Sequence, residues 1–98
     1  MTDITDLCAA ALVATQHAFD EQDDVGLWLV AIRAWRLATE ASHVQNPTAM
    51  QKALTEACYN AGNTAHFAKR AAANQGGDIE LTSRCALTAA EVVMMWID

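Results

Sequence analysis

The sequence predicts an all-α domain, a compact antiparallel bundle of about four helices, and three observations carry that expectation. Alanine, the strongest helix former, makes up roughly a fifth of the 98 residues. Apolar residues recur three and four apart along most of the chain, and they do not alternate as a half-buried strand requires. One proline and four glycines leave few places to turn, so the elements between them must be long. A chain of this length forms one domain, residues 1–98, and can bury a core without metal or disulfide.

The first helix is expected over Asp3 to Asp20, with Thr2 as its N-cap. Ile4, Leu7, Cys8, Ala11, Leu12, Thr15, Ala18 and Phe19 share its apolar face. The run Asp20-Glu21-Gln22-Asp23-Asp24 breaks the pattern. Asp23 or Asp24 can accept hydrogen bonds from the free amides of the next helix. The run lacks the glycine-centred oxygen spacing of a calcium loop and reads as a capped turn. The second helix, Val25 to Val44, is apolar around more than half its circumference. Trp28, Ile32 and Trp35 form one row; Leu27, Ala31, Ala34 and Ala38 a second; Val30, Leu37 and Ala41 a third. So wide an arc predicts a central helix.

Asn46-Pro47 restarts the chain, with Asn as N-cap and Pro at the first helical position. Thr48 and Gln51 offer a capping box as the alternative start. Helix 3 then carries Met50, Ala53, Leu54, Ala57, Cys58, Ala61, Ala65, Ala68 and Ala72 on one face. The face keeps its phase across Gly62, which favours one long helix, kinked there if anything, over two split ones. Gly76-Gly77-Asp78 stops it and caps helix 4, from Ile79 nearly to the C-terminus. Two apolar stripes run along helix 4 on nearly opposite sides. Leu81, Cys85, Ala89, Val92 and Trp96 are expected to face the core, which leaves Leu87, Ala90, Met94 and Ile97 over. Alanine-rich faces should let the axes approach closely, with Trp28, Trp35, Trp96 and Phe19 filling the volume between.

Charge and cysteine usage narrow the function. Twelve acids against six bases give a formal charge of −6, which disfavours direct binding to nucleic acid or to an anionic membrane. It suits a basic partner. Three cysteines without CxxC spacing fit free thiols in a reducing compartment. The opening residues are acidic where an export signal is basic, and no run reaches the ~20 apolar residues of a membrane span. The expected location is the cytoplasm.

Catalytic and metal chemistry find little footing. If helices 1 and 3 start level, Cys8 lies roughly 8 Å and Cys58 roughly 17 Å above that base, with Cys85 higher still. Zinc holds its thiolates at ~2.3 Å and cannot span such gaps, so the cysteines read as three small buried hydrophobes. His17 and His66 fall on solvent sides, His43 near a helix end, and none pairs at ligand spacing. Ser42 and Ser83 sit in helices without a glycine elbow. Gly76-Gly77 is too short to cradle phosphate. No enzyme, metal or cofactor is expected.

Two surface features remain. On the outer side of helix 3, Lys52, Glu56, Tyr59, Asn63, His66 and Arg70 form a row flanked by Phe67, whose aromatics and donors suit a macromolecular partner. On helix 4, the leftover stripe Leu87, Ala90, Met94 and Ile97 suits a helix–helix interface, in a homodimer or with an obligate partner, the alternative being a central helix 4 whose second stripe helices 1 and 2 cover. The resulting expectation is a non-enzymatic interaction module, an adaptor, regulator or inhibitor that self-associates. One narrower version is a phage-type anti-defence inhibitor of a basic nucleic-acid-binding machine. The alternative is a small-ligand binder with a pocket between helices 2 and 3, using Trp28, Trp35, Tyr59 or His66.

Overall fold

Four helices form within residues 3–97, the part of the chain that the computed structural model describes: α1 (Ile4–Asp20), α2 (Val25–Ser42), α3 (Ala49–Ala72) and α4 (Ile79–Met95). Each packs on the helices next to it in sequence, and α4 closes back on α1. The result is an all-α up-down bundle with short connections. It measures 41 × 23 × 19 Å. Its long axis matches α3, whose 24 residues rise about 36 Å.

Each helix begins where a side-chain oxygen takes up an otherwise free amide. Asp3 caps α1 by accepting from the Thr5 N–H; Thr2, expected in that place, lies outside the described residues. Asp24 caps α2 through the Leu27 N–H at 3.2 Å, and Asp78 caps α4 through the amides of Glu80 and Leu81. At α3 the Thr48–Gln51 box forms, with bonds of 3.1 and 2.8 Å in the two directions. This corrects the Asn46-Pro47 start, because the reciprocal box satisfies two amides where proline at the first position satisfies none. Asn46 instead turns the chain with φ of +53°. Helix 2 ends at Ser42 and not Val44, since His43 is already extended. Beyond α3, Gly76 and Gly77 take φ of +117° and +95°, a region open to glycine at little cost.

α3 runs unbroken through Gly62. A Cβ at Gly62 would sit 3.3 Å from Cβ of Trp35, so this glycine marks the close approach of α2 to α3 and not a helix end. The core is built the same way. Ala11, Ala18, Ala31, Ala38, Ala61, Ala65, Ala68, Ala86 and Ala90 are fully buried, with Trp28 and Trp35 as the large fillers. Both indoles are satisfied. Trp35 Nε1 donates to Thr15 Oγ1 at 2.9 Å, whose hydroxyl donates on to the Ala11 carbonyl. Trp28 Nε1 donates to the Gln22 carbonyl in the acidic turn.

α4 is rotated from the expected orientation. Ser83, Ala86, Ala90 and Val93 point inward, Met94 and Ile97 are half-buried against the core, and Leu87 is half-buried at its flank. Of the stripe Leu87, Ala90, Met94 and Ile97, Ala90 is fully buried and the other three are half-buried, so the stripe is not the open face expected of an interface. Leu81, Cys85, Val92 and Trp96, expected inside, are exposed, and Ala89 is half-buried. The physical reason is room. Alanine faces bring axes close, so the inner seam takes serine and alanine while bulkier side chains turn to the flanks or outward. α2 packs broadly on both α1 and α3, as its wide arc predicted, although its third row, Val30, Leu37 and Ala41, faces out.

Candidate functional site

The helix 3 row is exposed along its whole length, but the bundle divides it among different surroundings. Tyr59, Asn63 and His66 border a groove of about 460 Å³ between α2 and α3. Phe67 and Arg70 border a separate dip beside Gly76, Gly77 and Thr82. Lys52 lies at the opposite end, near His43, Pro47 and Glu56. Tyr59 and Phe67 are 60% and 54% exposed, large aromatic surface left in water on a helix whose other face is alanine.

The α2–α3 groove has mixed walls. α2 supplies Ile32, Trp35, Arg36, Thr39 and Glu40; α3 supplies Tyr59, Gly62, Asn63 and His66. The missing Cβ at Gly62 keeps the wall low beside Trp35. The Thr39 hydroxyl is already committed to the Trp35 carbonyl at 2.7 Å. Arg36 and Glu40 stand one turn apart at the rim, and the ion pair found among the described residues is elsewhere, Arg84 to Glu80 at 3.5 Å. The groove thus offers a guanidinium, a carboxylate, an imidazole, a phenol and an amide around an apolar strip. Trp35, Tyr59 and His66 meet there as the sequence suggested, whereas Trp28 is absent from its walls and packs over the acidic turn. Arg36 and Glu40 were missed. Their one signal was that they are among the few polar residues of an otherwise apolar helix 2, beside Trp35 and Thr39.

Two of the three cysteines do converge, contrary to the expected spacing. Cys8 and Cys58 are fully buried, with Sγ atoms 3.7 Å apart across the bundle diagonal. They lie four and nine residues into their helices, roughly 6 and 14 Å along the axes. The two levels coincide because α3 starts roughly 7 Å further out than α1, so the assumption of a shared base fails. The hydrogen bond from Cys58 favours ionisation of Cys8, and the same bond, aided by burial, pushes Cys58 far above the ordinary thiol range. Such a pair does not carry two charges together. Cys85 is exposed, not buried as expected. Among the described residues, no three His, Cys, Asp or Glu side chains gather as a metal site.

The remaining polar residues are quickly placed. His17, His43 and His66 are exposed. Ser42 is buried and hydrogen-bonded with Thr55 at 2.8 Å, tying the end of α2 to the start of α3. Ser83 Oγ is buried without a partner. The acidic turn forms an open, solvated depression, with Asp24 engaged as the α2 cap. No described helix is long and apolar enough to cross a membrane. No protein-family model matches the chain, and comparisons with curated proteins and with solved structures find no match.

Proposed function

We propose that this chain is a non-enzymatic protein-interaction module, an adaptor, regulator or inhibitor that engages a macromolecular partner through the outward side of α3. The observation that carries the reading is the exposure of Tyr59 and Phe67 in a row with Asn63, His66 and Arg70. Aromatic and arginine side chains are the residue types that anchor protein interfaces, the rings because they bury large area for little lost freedom and arginine because its planar fork donates several hydrogen bonds. The acidic balance of −6 favours a basic partner surface beside those anchors. A phage-type inhibitor of basic nucleic-acid-binding machinery is one narrower form of this reading, supported by that charge and the small size.

Affinity capture from the native host tests it, with the wild-type chain beside Tyr59→Ala/Phe67→Ala. Both side chains are largely solvated, so the variant should keep its helicity and melting temperature. A partner held by the wild type and lost by the variant is expected. Capture that ignores the substitutions, or no specific partner at all, removes the reading.

A second reading has its own observation, the groove between α2 and α3. An amphipathic small molecule bearing an anionic group would lay its apolar part against the exposed Tyr59 ring and its charge against Arg36, with Asn63 as a further donor. Native mass spectrometry of protein purified from its host would then show an added mass that disappears in Arg36→Ala. A chain that flies only at its own 10.6 kDa counts against this reading.

A further inference from the structure

The rotation of α4 leaves an outward seam on that helix. Leu81, Cys85, Thr88, Val92 and Met95 follow one another at steps of four, three, four and three, and all five are exposed. That is the heptad spacing with which one helix packs along another. It runs opposite the inner seam of Ser83, Ala86, Ala90 and Val93, so α4 carries apolar side chains on both sides. The middle of the outer seam is small, with Cys85 and Thr88, and its ends are large. Arg84 and Glu91, seven residues apart, flank it on the same edge.

We propose that the occupant of this seam is a second copy of the chain, its α4 antiparallel to the first. Heptad layering then sets Leu81 against Val92 of the second copy and Cys85 against Thr88, with a two-fold axis between them. In that register Arg84 of each copy faces Glu91 of the other, the flanking pair that antiparallel helices bring together, and the two-fold makes it twice. A parallel pair lacks this match, because each flanking charge would meet the residue five places on, Ala89 for Arg84 and Trp96 for Glu91. Charge complementarity therefore selects both the partner and its direction. The present neighbour of Arg84 is Glu80, and both side chains are about 70% exposed, so little holds that pair against exchange. The proposal concerns a different face from the α3 row, and either can fail without the other.

Sedimentation velocity on the full chain, from about 1 to 500 µM, reads the association directly. A concentration-dependent shift from the 10.6 kDa monomer to twice that mass is expected. Arg84→Glu and Glu91→Arg should each weaken it by about tenfold or more by placing like charges together. The double exchange Arg84→Glu/Glu91→Arg should restore it, which a merely structural role for either residue would not produce. Circular dichroism of all three variants shows whether each remains folded, and a variant that unfolds is replaced by the milder Arg84→Gln or Glu91→Gln. A monomer throughout the range overturns the proposal. So does a dimer indifferent to the single exchanges, or one that the double exchange fails to restore.

Discussion

α2 and α4 look alike in sequence, two helices apolar over most of their circumference, yet the bundle uses them in opposite ways. α2 turns its largest side chains inward. Trp28 and Trp35 are fully buried, each with its indole N–H engaged. α4 turns small residues inward and leaves Leu81, Val92, Met95 and Trp96 in water. Its inner seam also holds Ser83, a buried hydroxyl without a partner. A tryptophan needs a deep site with a polar group at one end, and α2 finds both against α1 and the turn that follows it. The difference teaches that total apolar content does not decide which side of a helix is core. What decides is the shape and polarity of the space its neighbours leave.

The tryptophans give this comparison its hardest test. Trp35→Ala opens a large cavity at the junction of α1, α2 and α3, while the Thr15 hydroxyl keeps its bond to the Ala11 carbonyl, so urea unfolding should show a loss of about 3–5 kcal/mol. Trp96→Ala removes a side chain that is 41% exposed, beside Ala53, Ala57 and Ala89, and should cost less than half as much. Equal losses would mean that α4 is packed as deeply as α2 and that the contrast is false.

A finer cut leaves volume alone and removes one polar partner. Thr15→Val keeps the shape but deletes the acceptor of the Trp35 indole N–H. The orphaned donor sits in a dry core, where the expected penalty is about 1–3 kcal/mol. The same unfolding measurement checks it. Indole fluorescence should shift as well, because the N–H loses its partner. A neutral result would show that the indole finds another acceptor and that the Thr15 link does not stabilise α2 against α1.

How much of this was legible in the sequence follows the same line between local and spatial. The four helices, the cap at Asp78, a cap at Asp23 or Asp24, and the passage of α3 through Gly62 were readable because each depends on a few adjacent residues. The grouping of Tyr59, Asn63 and His66 was readable from helical spacing alone. The rotation of α4 was not, since both arcs of that helix are apolar. The choice between them depends on how close Ala61, Ala65 and Ala68 let the axes come. The Cys8–Cys58 meeting was hidden for a related reason: it depends on the offset between α1 and α3, which loops and core packing set together. Arg36 and Glu40 joined the groove only once α2 and α3 were placed side by side.

Ser83 supplies the smallest expected effect and the sharpest contrast with Thr15. Both are hydroxyls buried within helices, but the Thr15 oxygen both donates and accepts while the Ser83 oxygen is bonded to nothing. A buried hydroxyl forfeits its hydrogen bonds to water, and without replacement it opposes folding. Alanine at that position removes the cost, leaves almost no cavity, and is the better helix former. Ser83→Ala should therefore stabilise the chain by about 1 kcal/mol, which in a domain of this size raises Tm by roughly 4–8 °C. Calorimetry on the wild type and variant decides it. A variant that melts lower would mean that the Ser83 hydroxyl has a partner in solution, and the polar contrast between α2 and α4 would then disappear.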